Sequence, residues 1–262
     1  MFVKICGLKT KEAALTAATN GADFIGMIFA KSKRQVSIED AQQISFTIKN
    51  LGNQTLKYKL PTREEMMNRL GINEDDYSID RMMIWYEAWT EEAKQFISTN
   101  QRPLIVGVFV DMEPTEINEI VTQVGLDLVQ LHGKEPLNYA QEIICPVIRV
   151  ISMTPKKDIN MEEIKEHALM ERLKSECGVG FNAFILLDAG AGGTGEVFDW
   201  KTAEGIDLPF ILAGGLNPTN INKAREVLHP WAVDVSSGVE TNGIKDHSLI
   251  KQFIQNGKVV NN

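Results

Sequence analysis

The sequence predicts an α/β protein, a (β/α)8 TIM barrel with a helical insertion between the second helix and the third strand. Three observations predict it. Short β-branched runs alternate eight times with helix-like segments, which is the pattern of a closed barrel. No GxGxxG turn marks the alternative, an open doubly wound sheet. Polar residues, which a strand buried on both faces should lack, collect at the C-terminal ends of the runs. Residues 1–262 read as a single barrel domain, with 51–102 as a helical insertion within it.

The first strand, Phe2–Cys6, puts Lys4 and Cys6 on one face, because side chains alternate along a strand. A lysine beside a thiol is expected to stabilise the thiolate and lower its pKa. Gly7 then lets the chain turn away. The remaining strands are expected at Asp23–Phe29, Leu104–Val110, Asp127–His132, Val147–Val150, Ala183–Asp188, Phe210–Ala213 and Ala232–Ser236. Helices are expected near Thr10–Asn20, Ser37–Asn50, Pro114–Val124, Glu135–Ile143, Met161–Ser175, Asp199–Glu204, Thr219–Leu228 and Asp246–Gln255.

Leu51–Arg102 is far longer than an ordinary helix-to-strand connection. Thr62-Arg63-Glu64-Glu65 has the form of a capping box. Met82, Trp85, Trp89, Ala93 and Phe96 recur at spacings of three and four, as on one apolar helical face. That face is expected to pack on the barrel's flank. A connection of this kind lies at the N-terminal end of the barrel, so the insertion is expected not to touch the chemistry.

The formal charge of −8 argues against a nucleic-acid binder but not against a small anionic ligand. No apolar run is long enough for a membrane span, and none reads as a signal peptide. The three cysteines, Cys6, Cys145 and Cys177, are odd in number and lack CxxC spacing. That argues against disulfides or a zinc knot and for a reducing, cytoplasmic setting.

The polar strand ends are Lys4 and Cys6, Gln130 and His132, Arg149, Asp188, and Asp234 with Ser236. Eight closing strands would gather them in one mouth. Asp188 ends an apolar run, where an unpartnered carboxylate would have a raised pKa and could serve as a general acid. Arg149 in a barrel mouth would suit an anionic ligand. His132 and Asp234 read equally well as structural hydrogen-bonding residues. Two turns, Gly214-Gly215 after the seventh strand and Ser236-Ser237-Gly238 after the eighth, stand where this fold places its phosphate site. Gly193-Thr194-Gly195, after the sixth, reads either as a third amide-rich cradle or as a surface loop.

Several stretches together resemble the phosphoribosylanthranilate isomerase family of tryptophan biosynthesis. They are Lys4-Ile5-Cys6-Gly7, Ser32-Lys33-Arg34-Gln35-Val36, Val106-Gly107-Val108-Phe109, Val129-Gln130-Leu131-His132-Gly133, Leu186-Leu187-Asp188, Gly192 to Trp200, Ala213 to Pro218, and Asp234 to Glu240. Val239 to Gly243 is similar to fungal members in particular. The resemblance covers most of the chain except Leu51–Arg102. It implies an Amadori rearrangement with Asp188 as general acid and Cys6, as thiolate, as general base. It implies that Arg34 meets the anthranilate carboxylate and that Lys4, Gln130, His132, Arg149 and Asp234 also face substrate. Gly193, Thr194, Gly195, Gly214, Gly215, Ser236, Ser237 and Gly238 would surround the phosphate. No metal or other cofactor is required. The partner is a small phosphorylated substrate, not nucleic acid or membrane, and the chain is expected to be a monomer or weak homo-oligomer. An indole-glycerol-phosphate synthase would be expected to carry a lysine on the third strand, and Leu104–Val110 has none. A histidine-pathway isomerase would be expected to carry an aspartate where Cys6 stands. A catalytically silent barrel is the remaining rival, favoured only by the tryptophan-bearing insertion.

Overall fold

The computed structural model describes residues 1–51, 55–73, 78–153, 173, 180–188 and 206–258. Eight parallel strands close into a barrel in chain order. They are β1 (Phe2–Ile5), β2 (Phe24–Ile28), β3 (Leu104–Phe109), β4 (Leu128–Leu131), β5 (Val147–Ser152), β6 (Phe184–Asp188), β7 (Ile211–Ala213) and β8 (Ala232–Val235). The described helices are α1 (Lys11–Thr19), α2 (Ile38–Lys49), α3 (Arg63–Leu70), α4 (Ile79–Asn100), α5 (Pro114–Val124), α6 (Tyr139–Glu142), α7 (Ile221–Leu228) and α8 (His247–Lys258). A hairpin of two short strands, β9 (Glu240–Thr241) and β10 (Ile244–Lys245), follows β8.

The strands form where β-branched and aromatic runs can be buried on both sides, and every residue of β3, β4, β6, β7 and β8 is buried. The helices start where a side chain can satisfy a free amide. Thr10 accepts from Ala13 N and Ser37 from Asp40 N. Closure is made by β1 against β8, with Lys4 opposite Asp234. Two aspartates brace the strand starts. Asp23 Oδ2 accepts from Val3 N at 2.7 Å, and Asp127 Oδ2 accepts from Ile105 N at 2.8 Å.

The expected helix Glu135–Ile143 shrinks to Tyr139–Glu142. Glu135 turns back to accept from Asp111 N and Gly133 N, and Pro136 has no amide to extend a helix. The expected helices Met161–Ser175 and Asp199–Glu204 lie outside the described residues, apart from Leu173.

The capping box at Thr62–Glu65 forms and opens α3. In α4, Met82, Trp85, Trp89, Ala93 and Phe96 are all buried. Their face does not lie on the barrel's flank, as the pattern led one to expect. It crosses the floor. Trp85 Nε1 donates to Asn182 O at 2.7 Å, and the Trp89 ring lies 6.2 Å from Phe184. Phe184 in turn stacks on Trp231, which packs on Phe2 and Phe24 at the starts of β1 and β2. The floor needs cover because its inward residues are apolar, the Phe2, Phe24 and Phe184 rings among them, and α4 supplies it. Asn100 holds the approach to α3 by accepting from Lys57 N and Tyr58 N and donating to Tyr58 O. Buried Glu92 accepts from Tyr58 Oη and Arg69, and burial next to that carboxylate pushes the Tyr58 phenol up to about 12.

Candidate active site

At the opposite end, the C-terminal strand ends and their loops surround an opening of about 380 Å³. Cys6, Gln130, His132, Asp188 and Asp234 line it from β1, β4, β6 and β8. The strand alternation explains the convergence. Lys4 is opposite Asp234, Val108 opposite Gln130, and Ser152 opposite Asp188, so these positions share the inner face. Gly26 makes room for Cys6: a Cβ there would sit 2.9 Å from Cys6 Sγ and 3.0 Å from Cys6 Cα.

Lys4 does not reach the opening. It is fully buried below it, and its Nζ donates to Asp234 Oδ1 at 3.1 Å. Two residues earlier in the strand means about 6–7 Å deeper in the barrel. Burial works against the ammonium, but Asp234 and Cys6 beside it raise the Lys4 pKa. The expected depression of the Cys6 pKa is not found. Burial pushes the thiol up, and the nearby Lys4 and Lys245 charges oppose this without reversing it, since Asp234 also acts against the thiolate.

Asp188 is not an isolated carboxylate. His132 Nε2 lies 3.2 Å from its Oδ2, so the two residues that seemed separate in the sequence form a pair on the rim. Gln130 Oε1 and Ser236 Oγ are buried with no partner among the described residues. Orphaned polar atoms carry a free-energy cost unless something else fills their valence, and both belong to residues that line the opening.

Arg34 lines the same opening, held by Glu240. Its Nε and Nη2 donate to the two Glu240 oxygens at 2.6 and 2.9 Å, a bidentate fork. Lys245 Nζ donates to Glu240 Oε1 at 2.8 Å and to Ser236 O at 2.7 Å. Burial alone would raise the Glu240 pKa, but Arg34 and Lys245 together hold it below the usual carboxylate range. Sequence reasoning missed Glu240 and Lys245. The signal was Asn242-Gly243: both residues have positive φ, 53° and 77°, and this two-residue turn sets Glu240 opposite Lys245.

The loops after β7 and β8 complete the rim. Gly214 and Gly215 have φ of 91° and 64°, a left-handed conformation that side chains disfavour. Asn220 ties the turn, accepting from Asn217 N and donating to Gly215 O. Ser236 and Ser237 line the opening, but Gly238 stands behind it. A Cβ on Gly238 would lie 1.9 Å from Leu216 O, so this glycine lets the two loops touch. Gly193, Thr194 and Gly195 lie outside the described residues.

Arg149 does not point into the mouth. It pairs in register with Leu131, on the outer face, and donates to Glu135 O at 2.5 Å. There it buttresses Glu135, which holds the loops after β3 and β4 by their amides. Its sequence position at a strand end was read as mouth-facing because Val147–Val150 carries no alternation to fix which side is inward.

Known proteins resemble this chain in sequence and in fold. Residues 83–256, well over half of the chain, match the family model described as N-(5'phosphoribosyl)anthranilate (PRA) isomerase. A multifunctional tryptophan biosynthesis protein of Phycomyces blakesleeanus is 39% identical over 99% of this chain and 33% of its own length. A second relative, a tryptophan biosynthesis protein of Phytophthora nicotianae, is matched over 46% of its length, so the chain spans less than half of both. An N-(5'-phosphoribosyl)anthranilate isomerase of Streptococcus mutans is 35% identical over 98% of both chains. The solved phosphoribosyl anthranilate isomerase of Thermotoga maritima is 32% identical, with a TM-score of 0.66 and 98% of both chains covered. A further solved isomerase of this name, bound to reduced 1-(o-carboxyphenylamino)-1-deoxyribulose 5-phosphate, is 31% identical with a TM-score of 0.62 and the same coverage.

Proposed function

The chain belongs to the N-(5'-phosphoribosyl)anthranilate isomerase family, and we propose that it catalyses that family's Amadori rearrangement by acid–base chemistry between Asp188 and Cys6. The observation that carries the proposal is the placement of a thiol and a carboxyl group, 182 positions apart by the difference of 188 and 6, around one opening. Among the described residues the opening also offers two unpartnered polar atoms and two glycine-bearing turns.

In the proposed mechanism Asp188, oriented by His132, gives its proton to the furanose ring oxygen of N-(5'-phosphoribosyl)anthranilate. The C1–O bond breaks and the substrate nitrogen forms a Schiff base. Cys6, in the minor thiolate form that the Lys4 and Lys245 charges favour against burial, then takes the proton from C2, and the electron pair moves to give an enolamine. Tautomerisation gives the ketone, 1-(2-carboxyphenylamino)-1-deoxyribulose 5-phosphate. One acid and one base in different surroundings are what such proton transfers need. Arg34, fixed by Glu240, has its remaining guanidinium N–H groups for the anthranilate carboxylate. The turns at Gly214–Gly215 and Ser236–Ser237, with Gly193–Gly195, would hold the phosphate through backbone amides. Gln130 and Asp234 would meet the sugar hydroxyls. Lys4 and Gly238 act from behind, on Asp234 and on the loop contact. We also propose a cytoplasmic protein that works as a monomer or weak homo-oligomer. Support comes from the three unpatterned cysteines and from the scatter of exposed apolar residues such as Phe46 and Ile244.

The test is the loss of N-(5'-phosphoribosyl)anthranilate fluorescence on turnover by the purified chain. Cys6→Ala should lower kcat by about 10²–10⁴-fold with little change in substrate binding. A near-normal rate in that variant would remove Cys6 from the mechanism.

A further inference from the structure

A second cavity, larger than the mouth at about 610 Å³, opens at the other end of the barrel beside the starts of β3 to β6. The insertion forms one wall through Leu60, Trp89 and Phe96. Leu126, Ile143 and Val147 form the other. Its size is that of a small-molecule pocket, about 300–1,000 Å³, and well-packed interiors leave few such voids. The two openings share no lining residue among those described.

The charges inside are unequally matched. Arg102 is neutralised by Asp127, with bonds of 2.7 and 2.9 Å, and Asp127 also accepts from Ile105 N. Arg63 donates to Gly180 O. Lys59 and Glu64, at the entrance, are exposed and of opposite sign. Lys49 is different. It is half-buried, lies in the last turn of α2, and makes no hydrogen bond or ion pair with a described residue. Its ammonium rests on Gly125, 2.1 Å from where a Cβ would be. Gly125 thus serves twice, as the left-handed cap of α5 (φ 73°) and as the seat for this charge. Among the described residues Ser45 Oγ, 3.9 Å from the same point, is buried with no partner, and so is Trp89 Nε1. Burial lowers the Lys49 pKa, with Arg102 acting in the same direction and Asp127 against it. A bound anion would relieve that cost.

We propose that this cavity is a second ligand site, for a small organic monoanion with a ring-sized apolar body whose acidic group rests on Lys49. One unmatched cation fits one negative charge, and a second negative charge would face Asp127. The ring fits walls that include Trp89, Phe96 and Phe181. The insertion then does more than cover the floor: it builds half of a binding site. This inference stands apart from the isomerase reading.

The experiment titrates the full chain with two fluorescent probes, 1-anilinonaphthalene-8-sulfonate and the uncharged N-phenyl-1-naphthylamine. The sulfonate should bind saturably at one site and should not be displaced by the phosphorylated substrate. Lys49→Met should weaken the sulfonate by about tenfold or more, the loss of one charge-assisted contact, and change the uncharged probe by less than about twofold. Turnover should be unaffected. Equal weakening of both probes, no effect on the sulfonate, or displacement by substrate would overturn the proposal. A crystal soaked in 4-iodobenzoate gives an answer that needs no variant. An iodine peak in this cavity with the carboxylate on Lys49 supports the site, and its absence there contradicts it.

Discussion

The two ends of this barrel are made by the same eight strands and the same inward-facing positions, yet they differ in chemistry. On β1 the inner face runs Phe2, Lys4, Cys6, and on β6 it runs Phe184, Leu186, Asp188. Rings sit at the floor, the buried Lys4 reaches up to Asp234 in the middle, and the thiol and carboxyl stand at the mouth. The floor is sealed by α4, whose Trp89 ring meets Phe184 at a tilt, and Phe184 in turn stacks on Trp231. The mouth keeps Gln130 Oε1 and Ser236 Oγ without partners among the described residues. The floor's stability comes mainly from packed rings, and the mouth's capacity for chemistry from ionisable and polar groups gathered around one opening. Depth along a strand, as much as which face a residue occupies, decides its role.

Variants can break this contrast at either end. Asp188→Asn at the mouth should cost about 10²–10⁴-fold in kcat while leaving the unfolding midpoint nearly unchanged, read by turnover and urea denaturation. Trp85→Ala at the floor should do the reverse. It removes a fully buried ring and its bond to Asn182, and should cost about 3–5 kcal/mol in stability with kcat of the folded fraction retained. A floor variant that lost kcat without losing stability would show that the ends are coupled. A smaller effect should separate holding from reacting. Glu240→Gln weakens the clamp on Arg34 and should raise KM by roughly three- to tenfold with kcat little changed. An unchanged KM would mean that Arg34 needs no clamp.

The smallest effect concerns pH. Because the folded chain holds the Cys6 proton more tightly than an exposed thiol would, alkylation of Cys6 by iodoacetamide should be slow near neutrality and accelerate above the ordinary thiol pKa of 9.0. The same shift means that this group's share of stability is complete below that value and is lost as pH rises through the higher folded value. Lys4→Met removes a charge that favours the thiolate and should move the alkylation profile further up. A shift downward would show that Lys4 does not face the sulfur.

Much of this was legible in the chain. The eight strand runs predicted the barrel to within two residues at nearly every end, because buried β-branched runs leave a strong pattern. Cys6, Asp188, His132, Gln130 and Asp234 were legible as polar breaks in those runs. Lys4 was misread because parity gives a face and not a depth. Arg149 was misread because a run apolar on both sides of it does not say which face is inward. Gly26 was overlooked, although a glycine inside a strand signals close approach, here of Cys6. The contribution of Glu240 and Lys245 depends on a hairpin register that only the Asn242-Gly243 turn announces.

The central claim is that sulfur and carboxyl act on one sugar, and release of deuterium from substrate labelled at C2 of the ribose tests it most directly. The wild-type chain should release the label during turnover, and Cys6→Ala, saturated with the same substrate, should release it about 10²–10⁴-fold more slowly. Release by Cys6→Ala at the wild-type rate would mean that another group takes the proton, and the assignment of the two roles would be wrong.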